Sequence, residues 1–278
     1  MNWFYRLGER RLDLTNRTLV MGILNRTPDS FYDGGETFAL DDLVRRGEQL
    51  SLAGADILDV GGVKAGPGEE VSEAEELDRV IPAVEALHAR LDTAISVDTW
   101  RASVLSAACE AGALVGNDIS GFADPEYLSV AAKHKVSVVA THIRLAPRVP
   151  DPDPHYDDLV SDVLAQLLDR AERAESAGLE HDQIAIDAGL DLGKTPAMSA
   201  MLLRESGVLA ATGYTLLLSA SNKRFLGDLL GLDIDQRREA SLAAVAYGVA
   251  HGCRIVRVHD VAGSVQVCRA IEAIQNSL

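Results

Sequence analysis

The sequence predicts a (β/α)8 barrel of the TIM type, one domain spanning residues 1–278, on three observations. Short apolar runs alternate with longer helical stretches eight times, at roughly regular spacing and without a linker-like break. The first run, 18–24, is continuous in character rather than alternating, as a strand buried on both faces of a parallel sheet should be. Nearly every run ends in a hydrogen-bonding or charged residue, which puts polar groups at the strand C-termini, where such barrels keep their chemistry. A doubly wound dinucleotide-binding sheet would need G-x-G-x-x-G after the first strand, and the sequence has none there.

The elements follow in order. Residues 1–17 read as a hairpin-like lead, with Gly8 and Glu9 as its turn and Trp3, Phe4 and Tyr5 as its apolar anchor. A first barrel strand over 18–24 runs into a polar loop with two turn signals, where Asp29 and Asp33 suit turn stabilisation, and a helix follows over 40–53. Strand 57–60 leads to a glycine-rich loop and a helix over 72–91, whose start, Ser72 with Glu75, is a capping box. Strand 94–97 precedes helix 102–111, and strand 114–116 precedes a short helix near 126–133. Strand 137–140 is followed by a proline-rich excursion over 146–155 and a long helix over 156–177. Strand 184–186 precedes helix 197–205, strand 215–218 precedes helical material over 223–250, and strand 255–258 precedes helix 261–275.

Composition bounds the function. A chain of 278 residues with 47% hydrophobic content can bury one large core. A net charge of −16 argues against a nucleic-acid binder, which would carry a basic face, and leaves any anionic ligand to a few local cations. Cys109, Cys253 and Cys268 are odd in number, lack metal-ligand spacing and read as free thiols. The sequence shows no signal segment and no apolar run of ~18 residues, so a cytoplasmic protein without a membrane partner is expected.

The strand ends read Asn25, Asp59, Asp98, Asn117 with Asp118, His142, Asp187, Ser219 to Lys223, and Arg257 with His259. Each alone has a structural explanation: Asp98 would cap the helix starting at Ala102, and His142 would be a satisfied rim histidine. Together they favour a small-molecule site at one barrel mouth. Asp98, Asn117 and Asp187 offer acceptors and donors at fixed positions, which suits the edge of a flat heterocycle rich in N–H groups. Lys223, Arg257 and His259 follow the last two strands, where barrels commonly hold phosphate beside a helix N-terminus. Lys194 after Gly193 is not a P-loop, because the preceding glycine spacing is wrong.

Five segments carry a resemblance: MGILNRTPDSFYDGG at 21–35, SVDT at 96–99, NDISG at 117–121, DAGLDLGKT at 187–195 and RVH at 257–259. In order and spacing they resemble the dihydropteroate synthases, over essentially the whole chain. Those enzymes join p-aminobenzoate to 6-hydroxymethyl-7,8-dihydropterin diphosphate in folate biosynthesis. The resemblance implies a pterin pocket lined by Asp98, Asn117, Asp187 and Lys223, with Asp98 and Lys223 in the catalytic roles. It also implies Mg²⁺ at Asn25, diphosphate held by Asn25, Arg257 and His259, and a homodimer formed through the late helices.

The sequence departs from that pattern in one half of the site. The family's second loop reads Gly-Gly-Glu-Ser-Thr-Arg-Pro-Gly, whereas residues 61–68 are GGVKAGPG, so Lys64, Ala65 and Gly66 replace both hydroxyls and the arginine. The usual Ser-Arg-Lys is Ser221-Asn222-Lys223, the usual Pro-Gly-x-Gly-Phe gives way to residues 188–192, AGLDL, and His142 follows threonine instead of methionine. The resemblance therefore implies a retained pterin pocket with weak or absent condensing activity. The alternatives are an ordinary synthase using Lys64 in place of the missing arginine, a related protein using another acceptor, and a pterin-dependent methyltransferase. The opening motif and the Arg257/His259 pair argue against the last.

Overall fold

The computed structural model describes residues 3–26, 39–66 and 68–277. Its N-terminal lead is a hairpin, β1 (Phe4–Leu7) paired antiparallel with β2 (Arg10–Asp13), and Gly8 at the turn has φ 60°. The hairpin packs on the barrel: Arg6 and Arg11 both reach Asp182, and Ser137 Oγ donates to the Arg6 carbonyl.

The barrel strands are β3 (Leu19–Asn25), β4 (Ile57–Gly61), β5 (Ala94–Asp98), β6 (Val115–Asp118), β7 (Ser137–Thr141), β8 (Ile184–Asp187), β9 (Thr215–Leu218) and β10 (Ile255–Val258). They close in the order β10-β3-β4-β5-β6-β7-β8-β9, and every recorded pairing is parallel. Strand burial is nearly complete, so hydrophobic transfer on both sheet faces stabilises the barrel.

The helices are α1 (Leu40–Leu52), α2 (Glu73–His88), α3 (Ala102–Glu110), α4 (Tyr127–His134), α5 (Leu159–Ser176), α6 (Pro196–Arg204), α7 (Ser206–Ala210), α8 (Arg224–Leu230), α9 (Arg238–Ala250) and α10 (Val261–Gln275). Local chemistry starts several of them. Asp158 accepts from Ser161 N–H, Thr195 accepts from Met198 N–H, and Asp260 accepts from Gly263 N–H. Ser72 likewise accepts from Glu75 N–H at 3.2 Å, but the Glu75 carboxylate turns to Arg79, one helical turn on, instead of back to the cap.

Three expected elements take different bounds. The helix expected from residue 156 begins at Leu159, because Asp158 caps it. The helical material expected over 223–250 divides into α8 and α9, because Gly231 sits in the left-handed region at φ 67° and ends α8. Asn117 and Asp118 belong to β6 itself, where they end the strand and do not begin the loop. The helix at Ala102 is not capped by Asp98: its first N–H donates to Asp124 Oδ2 at 2.9 Å.

Candidate functional site

Parallel register brings the predicted residues of the first strands into one row at the barrel mouth. Asn25 lies opposite Gly61, Gly61 opposite Asp98, and Asp98 opposite Asn117. Gly61 leaves the row open at its middle: a Cβ there would lie 3.4 Å from Asn25 Oδ1 and 3.5 Å from Asp98 Cβ.

One turn deeper, Asp59 on β4 is fully buried. Its Oδ2 accepts from Arg257 Nε at 2.6 Å and from Asn117 Nδ2 at 3.1 Å. Arg257 Nη2 donates to Asp98 Oδ2 at 2.7 Å, so one guanidinium from β10 bridges two carboxylates across the barrel. Burial works against the Arg257 charge, but Asp59 and Asp98 outweigh it and hold the group above its usual value. Burial also pushes the Asp98 carboxyl up to about 7, against the opposing pull of Arg257 and with repulsion from Asp59. Asp98 therefore changes charge near neutral pH.

The other side of the mouth is built by β8 and the segment after it. Asp187 ends β8 and accepts from Gly189 N–H at 2.8 Å, and burial raises its carboxyl above the usual range. Gly189 has φ 64°, and a Cβ there would run into the His142 carbonyl oxygen, so only glycine lets these segments close together. Lys223 Nζ donates to the Leu190 carbonyl at 2.9 Å, and burial pulls its ammonium below the usual value. Asp98, Asn117 and Asp187 thus lie at the ends of β5, β6 and β8, and Lys223 lies in the segment between β9 and α8.

His142 and His259 play more local parts. His142 Nδ1 meets Lys194 Nζ at 2.9 Å, and Lys194 also donates to the carbonyls of Gly189 and Leu192. Burial and the neighbouring ammonium push the His142 imidazolium down to about 2, and burial pushes Lys194 down to about 7. A neutral imidazole then accepts at Nδ1, so this pair braces the β7 and β8 ends. His259 Nδ1 bonds Ser221 Oγ at 3.0 Å, which ties the end of β10 to the end of β9. Arg257, two residues before it on β10, joins the carboxylate network.

The second loop has a mixed character. Val63 is buried, while Gly66 opens into space: a Cβ there would meet no atom within 4 Å. Gly66 and Ala65 border a cleft of about 390 Å³, shared with Ile143, Arg148, Leu192 and Arg224. Arg148 reaches across from the proline-rich segment and donates to the Glu69 carbonyl. Two of the other departures are absorbed structurally. Asp191 takes a left-handed φ of 66° and accepts from Phe225 N–H at 3.2 Å, at the start of α8. Asn222, at φ 56°, accepts from Ser241 Oγ at 3.3 Å. Both types tolerate that backbone region better than most. The polar loop over 27–38, with Asp29 and Asp33, lies outside the described residues.

Sequence reasoning noted Asp59 as a strand end without giving it a task, and placed Lys194 in the 187–195 motif, rejecting a P-loop there, without giving it a role in the site. Asp59 had one signal: a carboxylate in an otherwise apolar strand with no local partner in the sequence.

Comparison with known proteins places this geometry. The family of pterin-binding enzymes matches residues 21–259. The dihydropteroate synthase of Bacillus subtilis is 40% identical over 267 residues, covering 95% of this chain and 91% of that protein. A Mycobacterium leprae protein described as inactive dihydropteroate synthase 2 is 43% identical over 269 residues, covering 94% of this chain and 92% of its own. Among solved structures, Yersinia pestis dihydropteroate synthase with a sulfonamide drug complex superposes with a TM-score of 0.93 at 38% identity, covering 98% and 99% of the two chains. The Xanthomonas albilineans enzyme with 4-aminobenzoic acid gives 0.90 at 38% identity, covering 99% of each.

Proposed function

The chain belongs to the pterin-binding enzyme family and is dihydropteroate-synthase-like, and from that premise we propose that it keeps a pterin pocket while condensing p-aminobenzoate weakly or not at all. The observation that carries this reading is the second loop. Lys64, Ala65 and Gly66 stand where the resembled family's pattern has two hydroxyls and a guanidinium, and Gly66 opens onto the cleft without a side chain. A backbone methylene cannot orient an anion as a guanidinium fork does.

The retained half fits a pterin. Asp98 and Asp187 supply carboxylate acceptors for ring N–H and amino groups, Asn117 supplies a donor and an acceptor, and Lys223 supplies a donor. An ionised Asp98 would also stabilise positive charge building at the pterin methylene as diphosphate departs. The diphosphate would meet Arg257 and His259 at the β10 end.

Magnesium fits this donor set in one form. Among the described residues no three His, Cys, Asp or Glu side chains converge as a metal cage would. Mg²⁺ commonly takes one or two protein oxygens and completes its shell with water and substrate phosphates. Asn25 Oδ1, beside Gly61 at the row's open middle, would hold such a phosphate-borne ion, which supplies charge neutralisation to the leaving group. A homodimer through the late helices is part of the same reading. It is supported by Met201, Val208, Leu230 and Tyr247, exposed apolar side chains of α6 to α9.

Each lost charged contact costs about 1.5–3 kcal/mol. Two acting in the transition state would slow the reaction roughly a thousandfold. The test is turnover: protein, pterin diphosphate, Mg²⁺ and p-aminobenzoate, followed for dihydropteroate beside an ordinary synthase. Product at about a thousandth of the reference rate or less is expected, and a rate within tenfold of the reference refutes the proposal.

A further inference from the structure

Asp59 joins two residues that serve different halves of the proposed ligand, and its own geometry is lopsided. The carboxylate is fully buried on β4. Oδ2 accepts from both Arg257 Nε and Asn117 Nδ2, while Oδ1 is buried without a hydrogen-bond partner. A carboxylate placed for stability alone would use both oxygens, because an unpaired buried acceptor costs free energy.

The arrangement restricts both neighbours. A carboxylate only accepts, so Asn117 must present its amide nitrogen to Asp59, which leaves its oxygen and second N–H turned elsewhere. Arg257 has five N–H groups; Asp59 takes Nε and Asp98 takes one at Nη2. Without Asp59, the guanidinium would be drawn to Asp98 as a bidentate partner. That would cover the carboxylate a pterin needs and turn the remaining Nη groups away from a diphosphate.

We propose that Asp59 is a positioning residue: it anchors Arg257 by Nε, so that the guanidinium keeps its Nη groups for an anion, and it sets the orientation of the Asn117 amide. Asp59 touches no ligand itself. The inference rests on the pterin and diphosphate reading given above.

A double-mutant cycle reads this role. The probes are inorganic diphosphate with Mg²⁺, and 6-hydroxymethylpterin alone, titrated calorimetrically into the full-length protein. Asp59→Asn keeps the side-chain shape but presents an amide to Arg257, and should weaken diphosphate binding about tenfold. In an Arg257→Ala background the same change should alter diphosphate affinity less than about twofold, because Asp59 acts through Arg257. A merely structural role would give equal losses in both backgrounds and overturns the proposal. If Asp59→Asn fails to fold, Arg257→Lys answers the question, since it keeps the charge and removes Nε. It should lose about tenfold for diphosphate, and an unchanged affinity overturns the anchoring role. Wild-type protein that binds hydroxymethylpterin but shows no coupling refutes Asp59 positioning alone. Protein that binds neither probe refutes the pterin reading and the positioning role with it.

Discussion

Rebuilding the second loop should restore condensing activity. The perturbation is the triple change Lys64→Ser, Ala65→Thr, Gly66→Arg. The geometry gives it room to start: a Cβ at Gly66 meets no atom within 4 Å, and the position borders a cleft of about 390 Å³. Val63, which is buried, stays unchanged and continues to pin the loop to the barrel. One recovered charge-assisted contact contributes about 1.5–3 kcal/mol, which converts to roughly 10–150-fold in rate. The hydroxyls add to this where they reach the same transition state, so a gain between tenfold and a thousandfold is expected. The assay is initial-rate formation of dihydropteroate at saturating pterin diphosphate, with hydroxymethylpterin affinity measured on the same preparation. A gain under about threefold with unchanged pterin affinity would refute the loop as the defect. Leu192, Asp191 and Asn222, the other departures near the cleft and at α8, would then be the next suspects.

Other outcomes follow from the same geometry. Pterin affinity, measured without metal, should rise as pH increases through about 7, because Asp98 must ionise to accept from the ring; Asp98→Asn should flatten that limb. The Asp98 carboxyl is raised in the folded state, so its contribution to stability is present at low pH and is lost as pH rises from about 4 to about 7. Melts at pH 5 and pH 8 should accordingly shift in favour of Asp98→Asn at the higher pH. Gly189→Ala, with φ 64° and its Cβ driven into the His142 carbonyl, should cost about 1–3 kcal/mol or more and lower Tm by several degrees. Chelating Mg²⁺ should weaken the diphosphate-bearing pterin at least about tenfold while leaving hydroxymethylpterin unchanged, and equal losses would contradict a phosphate-borne ion at Asn25.

The barrel was legible because its signals are local. A continuous apolar run such as 18–24 announces a strand buried on both faces, and Ser72 announces a helix start with its own side chain. Bounds moved where a single residue's backbone decided them, as Gly231 did by taking φ 67° and ending α8. The site was legible as a set of strand ends, since parallel register carries Asn25, Asp98 and Asn117 to one row whatever their side chains bond. Its wiring was not. Arg257 and Asp59 are 198 residues apart, and His142 and Lys194 are 52 apart, so no local pattern marks either pair. Arg257 read as a phosphate ligand because of its strand-end place and its resemblance, while the two carboxylates that hold it became evident only when the barrel closed.

The central claim is that the chain kept the pterin half of the site and gave up the half that engages the second substrate. Sequential calorimetric titration tests it most directly: pterin diphosphate with Mg²⁺ first, p-aminobenzoate second, on one sample of protein. Saturable pterin binding in the micromolar range, followed by p-aminobenzoate binding at least about tenfold weaker than to an ordinary synthase, is the predicted result. Absent pterin binding, or p-aminobenzoate bound as tightly as by the ordinary enzyme, would contradict it.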